Sequence, residues 1–315
     1  MTNIESGLPF NDFRSLLDQL PPEDVDAKAH TKNQVIDQMG PDGGLFGEVC
    51  VWYSAWSGRS PAVSRPLLTL FAGTHSADKS GDVELLDEIV EISGGTSPVN
   101  RICDQHNLGL KVLDLALQIP VADITKQAAL DEKECAGTMA FGMESIAGGN
   151  DLFCAAAIEM EPNVSVLAIL SAMWGADPAK IVGKGKSDVL SNVQLSLENT
   201  EGRVSDGLEA LRQLGGRETA AMCGAILSAR MEHVPVLLAG PSAIACVAVL
   251  ETLKPGATSH CMMAQKSGIA EMDRLADEMN LQFLHNDFLT SRPAIQLALA
   301  AGMVKSACLE FSASP

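Results

Sequence analysis

Short apolar runs alternate along this chain with longer segments in which apolar residues return every three or four positions. The short runs fall at residues 67–71 (LLTLF), 110–115 (LKVLDL), 152–156 (LFCAA), 236–238 (VLL) and 261–264 (CMMA). Successive apolar residues over so short a length predict strands covered on both faces, because a sheet with one wet face shows strict alternation instead. Helical periodicity predicts helices at 83–92, 98–106, 132–146, 164–174, 217–231, 243–253 and 269–279. Strand-then-helix order predicts an α/β fold, a mostly parallel sheet with helices on both faces. Such sheets take ligands at the carboxyl ends of their strands.

The two ends of the chain read differently. Helical patterns at 10–20 and 27–39 precede a PDGG turn at 41–44, and one long helix is predicted at 293–311. These predict a small helical lobe built from residues 1–60 with 293–315, beside an α/β large domain over 61–292. No internal repeat or low-complexity segment interrupts the pattern.

Composition narrows the function classes. With 315 residues, of which 46% are hydrophobic, the chain can fill a core without staples. A net charge of −18, one Tyr and three Trp offer little to a phosphate backbone or to stacked bases, which argues against nucleic acid. The eight cysteines form no CxxC pair and lie mostly in apolar runs, as buried reduced thiols do. The first twenty residues carry Glu5, Asp12 and Arg14 and lack the basic-then-apolar form of an export signal. The apolar run 234–250 is broken by Pro235, Gly240, Pro241 and Ser242 and falls short of the about 20 residues a membrane span needs. A cytoplasmic setting is expected, and nothing calls for a metal or a cofactor.

Gly-rich elements stand where ligand loops belong. FAGTHS ends the first strong strand with Gly73 and His75, SGGTS carries Gly94 and Gly95, VGKGKS carries Gly183, Lys184, Gly185 and Lys186, and LGGRE opens a helix at 217. Glycine before a helix lets backbone N–H groups approach a phosphate, and the helix dipole favours the anion. Each alone is more often a turn or cap; four on one α/β chain raise the case for a phosphorylated ligand. The GKGKS spacing is not that of a P-loop, and no GxGxxG follows a strand. His75 reads as a ligand-contacting acid or base, or as a hydrogen-bonded loop histidine. Glu159 and Glu161, in IEMEP after the third strand, read as an acid/base pair lining a cleft or as solvated loop charges.

Taken in order, the motifs resemble the nicotinate-nucleotide:dimethylbenzimidazole phosphoribosyltransferases. LLTLFAGTHS (67–76) resembles the family's FAGDHG strand end, VWYSAWSGR (51–59) its N-terminal helical segment, and ISGGTSPVNRI (92–102) its GGAAI element. VADITKQAALDEKEC (121–135), DPAKIVGKGKS (177–187), GGRETAAMCGAILSA (215–229) and VPVLLAG (234–240) follow in the family's order, so the likeness spans roughly residues 25–311. It implies a Rossmann-like large domain, a small helical domain and a homodimer. It also implies transfer of phosphoribose from nicotinate mononucleotide to a benzimidazole-like base, with a carboxylate taking the azole proton.

The chain departs from the family where that chemistry is carried. Placed without gaps, the family's GEMGIGNTT loop falls on residues 156–164, with Ala157 at its glutamate and Glu159 and Glu161 at two of its glycines. Its GTG becomes Gly185-Lys186-Ser187, and no lysine occurs between Lys186 and Lys254. Its DG becomes Ala239-Gly240 and its SAE becomes Ser267-Gly268-Ile269. Its catalytic Gly-Glu falls at Pro293, or at Ser291 after a two-residue shift, in a stretch (289–309) without Asp or Glu. The leading expectation is a divergent paralogue acting as a binding or partner subunit, in a homodimer or a mixed dimer. The alternative is an active transferase whose base is His75, Glu159 or Glu161. A plain structural homologue with a filled pocket is the third. The family positions place Gly73, His75, Gly94, Gly95, Gly183, Lys184, Gly185, Lys186, Gly240, Ser267 and Ser291 as ligand contacts.

Overall fold

The computed structural model describes residues 9–41, 43–77, 82–159, 163–183 and 185–312. Six parallel strands form one sheet: β1 (Pro66–Ala72), β2 (Gly109–Asp114), β3 (Leu152–Ala157), β4 (Val236–Leu238), β5 (Cys261–Gln265) and β6 (Gln282–His285), in the spatial order β2-β1-β3-β4-β5-β6. The order runs outward from β1 in both directions, so the chain reverses its progress between β1 and β3. Their register, Leu67 opposite Phe153 and Phe71 opposite Ala157, ends both strands at the same edge. In a doubly wound sheet this reversal opens a crevice at the carboxyl ends of the two strands.

Successive residues of each strand face opposite layers. Phe71, Phe153, Ala155, Ala157, Val236, Leu238, Cys261 and Met263 point into one core. That layer holds α6 (Glu132–Met143), α7 (Val164–Trp174), α10 (Gly207–Leu214), α11 (Arg217–Met231), α12 (Pro241–Leu253) and α13 (Ala270–Glu278). Leu68, Leu70, Leu152, Cys154, Ala156, Leu237 and Met262 point into the other, against α3 (Gly44–Ser57), α5 (Pro98–His106) and α14 (Pro293–Ser312). This is why the strand sequences are apolar throughout. α1 (Pro9–Leu17) packs against α6 in the first layer, while α2 (Val25–Met39) packs on α3, which meets α14 in the second. Among the described residues the remaining α-helices are α4 (Asp82–Ser93), α8 (Pro178–Val182) and α9 (Ser187–Thr200).

Local sequence sets the ends of these elements. Asp131 and Glu134 form a reciprocal capping box at the start of α6, and Asn163 and Asp206 accept from backbone N–H groups to open α7 and α10. α6 and α11 pack closely: a Cβ on Gly142 would lie 1.8 Å from the Ala221 carbonyl, and one on Gly224 1.9 Å from that of Met139. Asp151, just before β3, accepts from the Ser64 N–H and hydroxyl and from the Arg65 N–H, fixing β3 beside the start of β1.

The predicted strands all form. β6 has no counterpart in the apolar pattern, because an edge strand of four residues with Gln282 exposed and Leu284 buried carries too short a signal. α3 shows no amphipathic period because α2, α14 and the sheet cover it on several sides, burying Val49, Cys50, Trp52, Tyr53, Ala55 and Trp56. α9 and α10 complete the region between β3 and β4. All eight cysteines are buried and none is in a disulfide. α14 is long and apolar enough to cross a membrane by composition alone, yet Leu297, Ala298, Ala301 and Val304 are fully enclosed in the second core.

Candidate functional site

Three titratable side chains, His75, Glu218 and Glu159, are held by the segments at the carboxyl ends of β1 and β3 and by the start of α11. Beyond β1 the chain turns through Gly73 to His75, which is buried and bridges to Val121 past β2. Its Nε2 lies 3.2 Å from Oε1 of Glu218, the second residue of α11. Thr219 donates its hydroxyl to the same oxygen at 3.0 Å. Two glycines leave room for this contact: a Cβ on Gly73 or on Gly216 would sit 2.2 Å from a Glu218 carboxylate oxygen. Burial pushes the Glu218 carboxyl up, but the charge of His75 and its hydrogen bond, then the Glu218 N–H and the Thr219 hydroxyl, outweigh it and hold the group below its ordinary value.

Beyond β3 stands Glu159. The Ser242 N–H donates to its Oε1 at 2.7 Å and the Ser242 hydroxyl to its Oε2 at 2.8 Å, at the first turn of α12. The side chain keeps a partly exposed surface while its carboxyl is enclosed by protein. That enclosure is the largest influence on its titration; the two Ser242 hydrogen bonds and His75 oppose it, Glu218 adds to it, and the pKa is raised to about 7. A carboxylate half-ionised near neutrality, on a residue that keeps some exposed surface, has the properties of a general base. Residue 157, where the ungapped comparison sets the family's glutamate, lies inside β3 and faces the core beside Phe153 and Ala155. The strand ends there, and Glu159 follows two residues later.

Gly240 closes the far side. It has φ +88°, and a Cβ there would meet Pro293 Cγ at 2.9 Å and Glu159 Oε1 at 3.0 Å. Pro293 begins α14, so the start of that helix rests on Gly240 beside Glu159. Arg292 precedes it; burial raises the Glu88 carboxyl of α4, and the Arg292 charge opposes part of that rise. Leu85 and Ile89 of the same helix pack with Ala72, Leu117 and Ile158 as an apolar wall over the strand ends.

The fold thus brings together Gly73, His75, Glu159 and Gly240 of the expected site. Ser267 follows β5 and organises the start of α13, its N–H and hydroxyl both donating to Asp273 at 2.8 Å. Ser291 is exposed in the loop before α14, near Thr290, whose carbonyl accepts from Gln265 at the end of β5. Gly183, Gly185 and Lys186 are exposed at the junction of α8 and α9; Asn192 of α9 donates to the Ala77 carbonyl, bringing that helix to the His75 loop. Gly94 and Gly95 form the exposed turn from α4 to α5. Glu161 and Lys184 lie outside the described residues. Sequence reasoning passed over Glu218 and Ser242: the first looks like an ordinary first-turn acid in GGRE, and the second follows a proline. Among the described residues no cluster of three or more His, Cys, Asp or Glu is placed to hold a metal.

A groove of about 900 Å³ lies at the opposite edge of the sheet, lined by Trp52, Trp56, Lys32, Met262 and Phe283. It adjoins the amino ends of β5 and β6, away from the three titratable groups, so its size does not make it the reaction site.

Comparison with known proteins identifies the family. A family model described as phosphoribosyltransferase matches residues 20–312. The chain is 40% identical over 316 residues to a nicotinate-nucleotide–dimethylbenzimidazole phosphoribosyltransferase of Sinorhizobium fredii, covering 96% of this chain and 94% of that protein. It is 40% identical over 326 residues to the protein of the same name from Rhizobium etli, with the same coverage. The crystal structure of the enzyme of that name from Thermus thermophilus superposes with a TM-score of 0.80 at 18% identity, over 92% of this chain and 97% of that one. This last likeness is one of fold.

Proposed function

The chain belongs to the nicotinate-nucleotide–dimethylbenzimidazole phosphoribosyltransferase family, and on that premise we propose that it is an active phosphoribosyltransferase whose base is Glu159. The observation that carries this reading is the position of Glu159 at the β1/β3 reversal, enclosed, anchored on Ser242 and with a pKa of about 7. The substrates are nicotinate mononucleotide and a benzimidazole-like base. One azole nitrogen attacks the anomeric carbon as the bond to nicotinate breaks, the bonding pair leaving with the pyridine nitrogen. The other azole N–H gives its proton to the Glu159 carboxylate, so no charge is stranded on the product. A base so placed contributes about 10²–10⁴ in rate; holding the two reactants in line supplies much of the rest. The start of α9, which no side chain caps, offers backbone N–H groups for the phosphate.

The test is nicotinate release by the purified protein from nicotinate mononucleotide with 5,6-dimethylbenzimidazole, against an inert-protein control. Release that drops at least 100-fold in Glu159→Gln supports the reading; release unaffected by that change sinks it. A second reading, a non-catalytic binding or partner subunit, is favoured by Pro293: α14 begins with a proline seated on Gly240 where the family resemblance calls for a carboxylate. It predicts binding of the nucleotide by calorimetry with no release, and light scattering distinguishes a homodimer from a chain that needs a different partner.

A further inference from the structure

The buried pair His75–Glu218 enters no step of that reaction, yet the segment that carries His75 past β1 starts beside the one that carries Glu159 past β3, the Ile158 N–H donating to the Phe71 carbonyl at 2.9 Å. Their contact joins the end of β1 to the start of α11, and two glycines leave it room. Glu218 is 3% exposed and His75 8%. An isolated carboxylate in such a place is expensive and would take up a proton, whereas one paired with a cation stays ionised. The interaction is reciprocal: whatever His75 does to keep Glu218 ionised, Glu218 does to keep His75 protonated. Among the described residues, the titratable groups that bear on the pair are Glu159 past β3, Cys246 of α12 and, next to Cys246, Cys223 of α11. Burial pushes the Cys246 thiol well above its ordinary value, so it adds no charge.

Building on the reading of Glu159 as base, we infer that Glu218 is a positioning residue: it fixes His75 as an imidazolium beside Glu159, and that cation keeps Glu159 an anion able to take the acceptor's proton. Glu218 touches no substrate and acts through His75. The direction of the effect follows from the charges. Removing His75 leaves Glu159 facing Glu218 alone, a like charge, so Glu159 holds its proton to higher pH. Removing the Glu218 charge releases the imidazole, which then loses its proton at lower pH.

The direct test follows the His75 ring by NMR across pH 5 to 9, in wild type and in Glu218→Gln, and needs no turnover; it stands or falls separately from the catalytic reading. The expected result is a wild-type imidazolium that persists through neutral pH and a midpoint at least tenfold lower in proton affinity in Glu218→Gln. Glu218→Asp keeps the charge at longer reach and should fall between them; if Glu218→Gln does not fold, the drop between wild type and Glu218→Asp carries the test. Equal midpoints in all variants, or a His75 already neutral at pH 7 in wild type, would overturn the inference. In turnover, His75→Gln should move the acidic limb of kcat/KM to higher pH, a displacement that loss of packing alone does not produce.

Discussion

Replacing Glu159 with glutamine should make the protein more stable at alkaline pH while removing its activity. The carboxyl titrates near 7 in the fold against an ordinary value of 4.5. At about 1.4 kcal/mol per pKa unit, the fold favours the protonated form by about 3 kcal/mol. The sign follows from linkage: a raised folded pKa means that the folded state holds the proton where the unfolded chain has lost it. The associated stability is complete below pH 4.5, declines as pH rises and is gone above about 7. Glutamine does not ionise, so relative to wild type Glu159→Gln should gain up to about 3 kcal/mol between pH 5 and pH 8.5. Weaker bonding of the neutral amide to Ser242 shifts the curve by a roughly constant amount of about 1 kcal/mol and leaves the pH slope intact. Urea unfolding at the two pH values reads the difference directly. A variant displaced from wild type by the same amount at both would refute the buried, proton-holding carboxyl on which the function is argued.

Other substitutions test the framework around the site. Gly73→Ala forces a methyl group onto Glu218 and should reduce kcat more than it reduces stability, checked by kinetics alongside urea unfolding. Gly224→Ala drives a methyl into the Met139 carbonyl of α6, where neither backbone can yield cheaply; a loss of about 2–4 kcal/mol in the same unfolding assay is expected. Asp151→Ala strips three donors at Ser64 and Arg65 of their acceptor and should cost about 2–3 kcal/mol, with Ser64→Ala costing less because the two N–H donors keep their partner. Arg230 lies 3.9 Å over the Trp56 ring, so Arg230→Met should change tryptophan emission while nicotinate release stays at the wild-type rate.

The architecture was legible because a doubly covered sheet writes itself as continuous apolar runs, and residues 152–156 and 236–238 are apolar on both faces for that reason. What escaped was enclosed on several sides or short: α3 has no polar stripe to reveal its period, and β6 has four residues. Within the site, His75 and Gly73 were visible at the end of a strong strand, whereas the role of Glu159 depended on how far β3 runs before it turns. The ungapped placement set the family's glutamate at residue 157; hydrogen bonding to β1 carries the strand through Ala157 and leaves Glu159 beyond its end. Glu218 was hidden for a different reason. Its partner is 143 positions away in the chain, and only the fold sets them 3.2 Å apart.

The measurement that bears most directly on the central claim is the pH dependence of kcat/KM for nicotinate release, in wild type and Glu159→Gln. The account predicts a wild-type profile that rises through an acidic limb near pH 7, and a Glu159→Gln profile that is at least 100-fold lower and has lost that limb. A limb that survives unchanged in Glu159→Gln, or no release from wild type at any pH while the nucleotide still binds, would contradict it.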